Sequence, residues 1–216
     1  MAIIDNHKDV KIDKTFTDKH PEMFAFFDAK GIDVEVSDDF ESFQIFLEGL
    51  SKEEYPYGYD VSFSDQHGGH GFNLTLKKDN NIIATYAAKL KEVVHTQSDY
   101  AEHFDCAGDS INKALPAFRG SQMYSSCQWV SIAERGNKLG VILDHLKKNI
   151  CFDIFGADVQ YATHKKPLKD YHIDKLHYSN SDHLVTLENS EIYNIAWIAK
   201  EDWAAKLNDV KKLYTI

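Results

Sequence analysis

Between Met123 and Ile150 the hydrophobic period of the chain changes once, and the change falls on a glycine-bearing turn. Met123 to Ile132 carries the strand formers Trp129, Val130 and Ile132. The run breaks at Glu134-Arg135-Gly136, after which Leu139, Ile142, Leu143, Leu146 and Ile150 recur on one helical face. A strand that feeds a helix through a tight turn commits the segment to a fold mixing sheet and helix. It also leaves the first amides of the helix without intrahelical acceptors, where the helix dipole favours negative charge. A diphosphate fits there. Gly136 opens backbone angles closed to other residues, Asn137 is placed to cap the helix, and Gly140 lets a ligand approach the first turn. Arg135 adds a forked cationic donor and Lys138 a second positive charge.

The flanking sequence alternates in the same way. Ser37-Asp38-Asp39 offers cap chemistry to a helix with Phe43, Phe46, Leu47 and Leu50 on one side. Phe72, Leu74 and Leu76 follow a period of two into the turn Lys78-Asp79-Asn80-Asn81 and a second strand, Ile82 to Leu90, which predicts a β-hairpin. Downstream the pattern predicts a strand over Ile154–Ala162, a helix over Leu168–Tyr178, and strands over Leu184–Leu187 and Ile192–Ile198. A closing helix from Glu201 presents Trp203, Leu207, Val210 and Leu213. No repeat or linker divides the chain, so residues 1–216 read as a single domain. A polar extension covers about 1–36, a loop rich in Tyr, Gly, Ser and Asp covers 53–71, and an insertion covers about 95–120.

With 43% hydrophobic and 27% charged residues the 216-residue chain has enough apolar material for a sizeable core. The formal net charge of -10 argues against nucleic acid as a partner and leans toward a cationic one, such as an amine. The odd trio Cys106, Cys127 and Cys151 fits neither a disulfide framework nor a Cys-x-x-Cys metal site. The start of the chain lacks the apolar run of a signal peptide, and no stretch is long enough to span a membrane, so a cytoplasmic, membrane-free setting is expected.

The segment Trp129-Val130-Ser131-Ile132-Ala133-Glu134-Arg135-Gly136-Asn137-Lys138-Leu139-Gly140 resembles the GNAT superfamily of acyl-CoA-dependent N-acetyltransferases. There a strand ends in an Arg/Gln-x-x-Gly-x-Gly/Ala turn that opens the helix beneath the cofactor pyrophosphate. Arg135 and Gly140 match the outer positions, and Lys138 stands at the inner glycine. The hairpin 72–90 is similar to the family's second and third strands, and Ile154–Ala162 to its fifth. Asp174-Lys175-Leu176-His177-Tyr178 looks like the family's Glu-Lys-Leu-Gly-Phe helix ending.

The resemblance implies an α+β fold: a twisted, mostly antiparallel mixed sheet with helices on both faces, split between its fourth and fifth strands. It implies acetyl-CoA as co-substrate, held by Trp129, Val130, Ser131 and Ile132 and by Arg135, Gly136, Asn137, Lys138, Leu139 and Gly140. Acyl transfer to a primary amine of a small molecule or peptide follows, with main-chain N–H groups of Val130 and Ile132 on the pantetheine and thioester. The family often pairs through edge strands, which implies a homodimer.

The family's thiolate-protonating tyrosine falls at Ile173, leaving Tyr171 and Tyr178 as nearby substitutes. Glu92, His95 and Glu134 are the nearest bases by topology, and an ordered water is a further route. A module of this shape that binds acyl-CoA or a protein without turnover is the competing reading. A zinc site on His67-Gly68-Gly69-His70 and a thiol hydrolase built on Cys127 rank lower. The former needs a loop with two glycines to be ordered, and the latter needs a reactive thiol within an apolar strand. No metal is expected.

Overall fold

The hairpin is the ladder on which the sheet is built. The computed structural model describes residues 12–51, 54, 71–91, 101, 104–114, 118 and 120–214. Strands β2 (Gly71–Lys78) and β3 (Asn81–Lys91) pair antiparallel across Asp79 and Asn80, whose φ angles of 51° and 62° are those of a tight hairpin turn. β1 (Asp33–Ser37) adds outside β2, and β4 (Gln122–Val130) adds beside β3. β5 (Val159–Lys165) lies parallel to β4, and β6 (Asn180–Thr186) and β7 (Ile192–Ala199) close the far edge. The strand order is β1-β2-β3-β4-β5-β7-β6, antiparallel at every junction except β4–β5.

Helices cover both faces. On one lie α1 (Lys14–Lys19), α2 (Pro21–Lys30), α4 (Leu139–Asp153) and α5 (Lys200–Lys211), whose apolar residues join Phe72, Leu74, Met123 and Ala162 in the largest core cluster. On the other lie α3 (Phe40–Glu48), which sets Phe43 and Leu47 against Ala87 and Cys127, and the insertion, which sets Phe104 and Phe118 against the sheet. The alternation of Met123 and Tyr124 in β4, and of Ala162 and Tyr161 in β5, between these clusters is the period-two rule acting on a sheet buried from both sides. Asp39 caps α3 as its sequence predicts, accepting the Ser42 N–H at 2.9 Å.

Four stretches differ from the sequence expectation. Residues 12–36, within the stretch of about 1–36 read as a polar extension, supply two short helices and most of β1, with Phe16, Met23, Phe26 and Phe27 in the core. Ile154 and Phe155 do not open a strand; both donate to the Ile150 carbonyl and end α4, and β5 starts only at Val159. The helix expected over 168–178 is present but shorter and irregular: a 3-10 turn, Lys166–Leu168, runs on into a π-helical turn, Tyr171–Lys175, where the Leu176 N–H reaches back to Tyr171. Ile132 is not in a strand: β4 ends at Val130, and Ile132 begins a 3-10 turn with 66% of its surface exposed. No helix among the described residues is long and apolar enough to cross a membrane.

Candidate functional site

The parallel pairing of β4 with β5 stops after Ser125 and Ala162, so beyond this point the two strands part. The cause lies in β4. Its register on β3 slips between Thr85 and Ala87, where the single residue Tyr86 faces both Cys127 and Gln128, and Cys127 takes a left-handed φ of 63°. This β-bulge bends the strand and ends its pairing with β5. Past the bulge, Ser131 donates to the Ile83 carbonyl, so by antiparallel alternation the Val130 N–H and C=O turn away from β3 toward the opened side.

The turn that follows is built to leave donors free. The N–H groups of Glu134, Arg135 and Asn137 are used within the turn, and those of Val141 and Ile142 bond to Lys138. Those of Gly136, Lys138, Leu139 and Gly140 find no acceptor among the described residues. Gly136 has φ 86°, and the helix cap is Lys138, also left-handed at φ 61°, with no side chain bonded over the helix start. One sequence expectation is corrected here: Asn137 does not cap the helix, because its amide turns back to Glu134 at 3.3 Å. Lys138, at the inner glycine position, takes the left-handed angles that a glycine would allow. Unpaired backbone N–H groups at the positive end of a helix are the kind of donor that suits a negatively charged ligand.

A cleft of about 370 Å³ opens against these amides, lined by Val130, Arg135, Gly136, Lys138, Gly140 and Tyr171. Arg135 is exposed, its Nε donating to the Val130 carbonyl at 3.1 Å while the rest of the guanidinium faces out. Gly140 keeps the cleft open: a Cβ there would stand 3.3 Å from Gln128 Nε2 and 3.8 Å from the Tyr171 hydroxyl. Gln128 ties the two parts of the site together, donating from Nε2 to the Gly140 carbonyl at 2.5 Å while lining a second cavity of about 270 Å³ in the mouth of the split. Tyr86, Tyr124, Ser126, Thr163, His164 and His172 also face that cavity.

Of the sequence candidates for proton transfer, Tyr171 reaches the cleft, 38% exposed, and burial, then the Asp144 carboxylate, holds its phenol above the ordinary range and protonated. Tyr178 does not reach it. Its phenol is fully buried, accepts from Lys147 Nζ at 3.0 Å and lines neither cavity, because the π turn directs it into the core. Glu92, His95 and the loop His67–His70 lie outside the described residues. Glu134 faces Lys78 at 3.7 Å beside the turn. Trp129 is buried, its ring 5.5 Å from that of Phe46, so it contributes packing. Cys127 is an inert thiol, pushed far up by burial. Among the described residues no group of three or more His, Cys, Asp or Glu is placed to hold a metal ion.

Sequence reasoning missed His164 and His172, a stacked pair 4.0 Å apart on the wall of the split. It also missed a sealed ionic cluster behind Tyr86. Asp144 is fully buried between Lys147, at 2.8 Å, and Lys148, both likewise buried. Lys147 lies 4.6 Å over the Tyr86 ring and Lys148 3.8 Å over that of Tyr178. Burial opposes the Asp144 carboxylate, but Lys147 and then Lys148 outweigh it and hold the group below the usual carboxylate range. Burial pushes the Lys148 ammonium down to about 7 against the pull of Asp144.

The sheet order, the split after Ser125 and the open turn before α4 define the acyl-CoA N-acyltransferase, or GNAT, fold. Among solved structures the chain is similar to a Vibrio cholerae spermidine N-acetyltransferase in complex with CoA and spermine, with 9% identity and TM-score 0.52 over 81% of this chain and 99% of that one. It is similar to Arabidopsis thaliana NAA60 in complex with acetyl-CoA, with 12% identity and TM-score 0.51 over 78% and 99%. It is also similar to BjaI, a CoA-dependent acyl-homoserine lactone synthase, with 11% identity and TM-score 0.50 over 95% and 88%. No family model and no curated protein matches the sequence.

Proposed function

We propose that this chain transfers an acyl group, acetyl in the simplest case, from acyl-CoA to the amine of an acceptor. The observation that carries the reading is the run of free N–H groups at Gly136, Lys138, Leu139 and Gly140 facing a cleft beside Arg135. A pyrophosphate is the ligand this chemistry suits: dianionic, compact and suited to unpaired amides at a helix start. The solved neighbours that hold CoA or acetyl-CoA add support at the level of the fold.

In this reading the pantetheine arm runs from the turn into the split along β4, where the Val130 N–H is directed and β5 no longer pairs. Gln128, on the wall of the split, is tied by its hydrogen bond to Gly140 at the edge of the cleft. The thioester carbon stands where an amine entering from the split attacks it. The N–C bond forms, the nitrogen gives up its surplus proton toward solvent in the split, the C–S bond breaks, and the thiolate leaves with the C–S electron pair. Tyr171, protonated and at the cleft beside Gly140, donates its proton to that thiolate and recovers one from solvent.

Calorimetry with CoA tests the reading. The wild-type chain should bind, and Arg135→Glu should weaken binding about 10- to 100-fold through loss of a charge-assisted contact and gain of a repulsive charge, with unfolding unchanged. Equal affinity in the two proteins rules out the assigned site. CoA binding without release of free thiol from acetyl-CoA across an amine panel turns the reading to a binding module.

A further inference from the structure

The mouth of the split carries a pair of imidazoles that the acyl-transfer reading above does not use. His164 is on β5 and His172 in the π turn, their rings parallel within 15° and 4.0 Å apart. Each has its Nδ1 against a carbonyl, Lys165 for His164 and Leu168 for His172, both at 2.9 Å. A carbonyl can only accept, so both Nδ1 atoms carry the proton and both Nε2 atoms present lone pairs. His164 Nε2 takes the Ser181 hydroxyl at 3.0 Å. His172 Nε2 has no partner among the described residues, and its ring lines the cavity. His172 is thus an oriented, uncommitted acceptor, its tautomer fixed from one side and its ring plane fixed by stacking.

We propose that His172 Nε2 receives the proton of the acceptor nitrogen in the transfer reaction, with His164 and Ser181 as the residues that position it. The proposal rests on the acyl-transfer reading. An ammonium sheds its first proton to water and enters the split as R–NH2. As the N–C bond forms and the C–S bond breaks, the nitrogen holds one proton more than the amide product can keep. That nitrogen is far more acidic than a free ammonium, so an imidazole of low basicity can take its proton. His172 then passes it to solvent through the mouth of the cavity, and the electron pair of the C–S bond stays with the departing thiolate.

The surroundings hold His172 neutral until that moment. His164 faces it from β5, and the Tyr171 and Tyr178 rings approach from its own segment at 6.0 and 5.7 Å. Asp144 and Lys148 act on it from α4 with opposite signs, and Lys169 acts on His164. Burial, followed by His164, pushes His172 down to about 4. The ring therefore stays an acceptor over the whole neutral range.

Nitrogen-15 NMR of the histidine-labelled full chain tests the assignment without turnover. His172 should show a protonated Nδ1 and a bare Nε2 at pH 7, and a proton on Nε2 would overturn the proposal. His172→Gln then separates this proposal from the reading beneath it. CoA affinity should stay within about two-fold of wild type, while turnover of acetyl-CoA with tyramine, histamine, lysine or spermidine drops on the order of 100-fold or more. Added imidazole should restore part of the rate in His172→Ala. If His172→Gln binds CoA and retains the wild-type rate, the role of His172 is wrong while the acyl-transfer reading stands. If wild type binds no CoA, or binds it and turns over none of these amines, the acyl-transfer reading itself falls and the role of His172 falls with it.

Discussion

The two stretches of α4 treat polar groups in opposite ways. At its start, exposed residues surround N–H groups that have no partner, and the cap residue gives no side chain to them. About one turn further on, Asp144, Lys147 and Lys148 are sealed from solvent, one carboxylate held between two lysine amines. Lys147 also meets Tyr178, and Lys148 meets the Leu176 carbonyl. Open, unsatisfied donors in solvent cost little and can bind; buried charges hold only while every partner is present. The first arrangement suits a ligand site, the second a fixed support behind Tyr86 and the wall of the split.

The sharpest break of this contrast is Asp144→Ala. It leaves the buried Lys147 and Lys148 amines without their carboxylate, and the expected loss is about 3–5 kcal/mol in urea unfolding. A loss below about 1 kcal/mol would mean that the cluster is hydrated and the contrast false. Acid comes next. The His172 imidazole sits at about 4 in the folded chain, below its unfolded value of about 6.5. The unfolded state therefore binds the proton first. The contribution of His172 to stability is full above about pH 6.5 and is lost as pH falls toward 4, on the order of 3 kcal/mol in all. His145, His164 and His177 are also pushed down, chiefly by burial, and add slope of the same sign. His172→Gln should flatten the stability profile over that window, and an unchanged slope would remove His172 from the account.

Smaller effects belong to the turn. Gly136→Val forces a β-branched residue into a left-handed conformation, at about 1–2 kcal/mol, with open space around the new Cβ. Its larger signature should be weaker CoA binding, because the unpaired amides lose their alignment. Lys138→Gly relieves left-handed strain at the cap, and stability should change by less than about 1 kcal/mol. Any fall in CoA affinity then measures the lysine charge alone.

What the sequence disclosed, and what it hid, follow the same division. The hairpin was legible because Phe72, Leu74 and Leu76 alternate up to Asp79-Asn80, and the turn before α4 because its glycines and cations are local signals. The bulge at Cys127 was not: a left-handed cysteine in a strand has no signature of its own, yet it is what ends the pairing of β4 with β5. Asp144, Lys147 and Lys148 look like the solvated face of an amphipathic helix, since charge spacing does not tell whether Tyr86 and Tyr178 cover that face. His172 was hidden by the π turn, which moves side chains off the 3.6-residue period on which a helical reading depends. The helices α1 and α2, six and ten residues long and divided at His20-Pro21, are too short for periodicity to separate them from a polar tail.

The claim beneath the rest is that the amides opening α4 wait for a diphosphate. Proton–nitrogen correlation spectra of the chain titrated with CoA address it directly. The account predicts that the amide signals of Gly136, Lys138, Leu139 and Gly140 move together and saturate at one affinity, ahead of any change in the Asp144 region. Should CoA leave those four signals in place, or move them no more than signals across the remote edge strand β6, the turn is not its binding site.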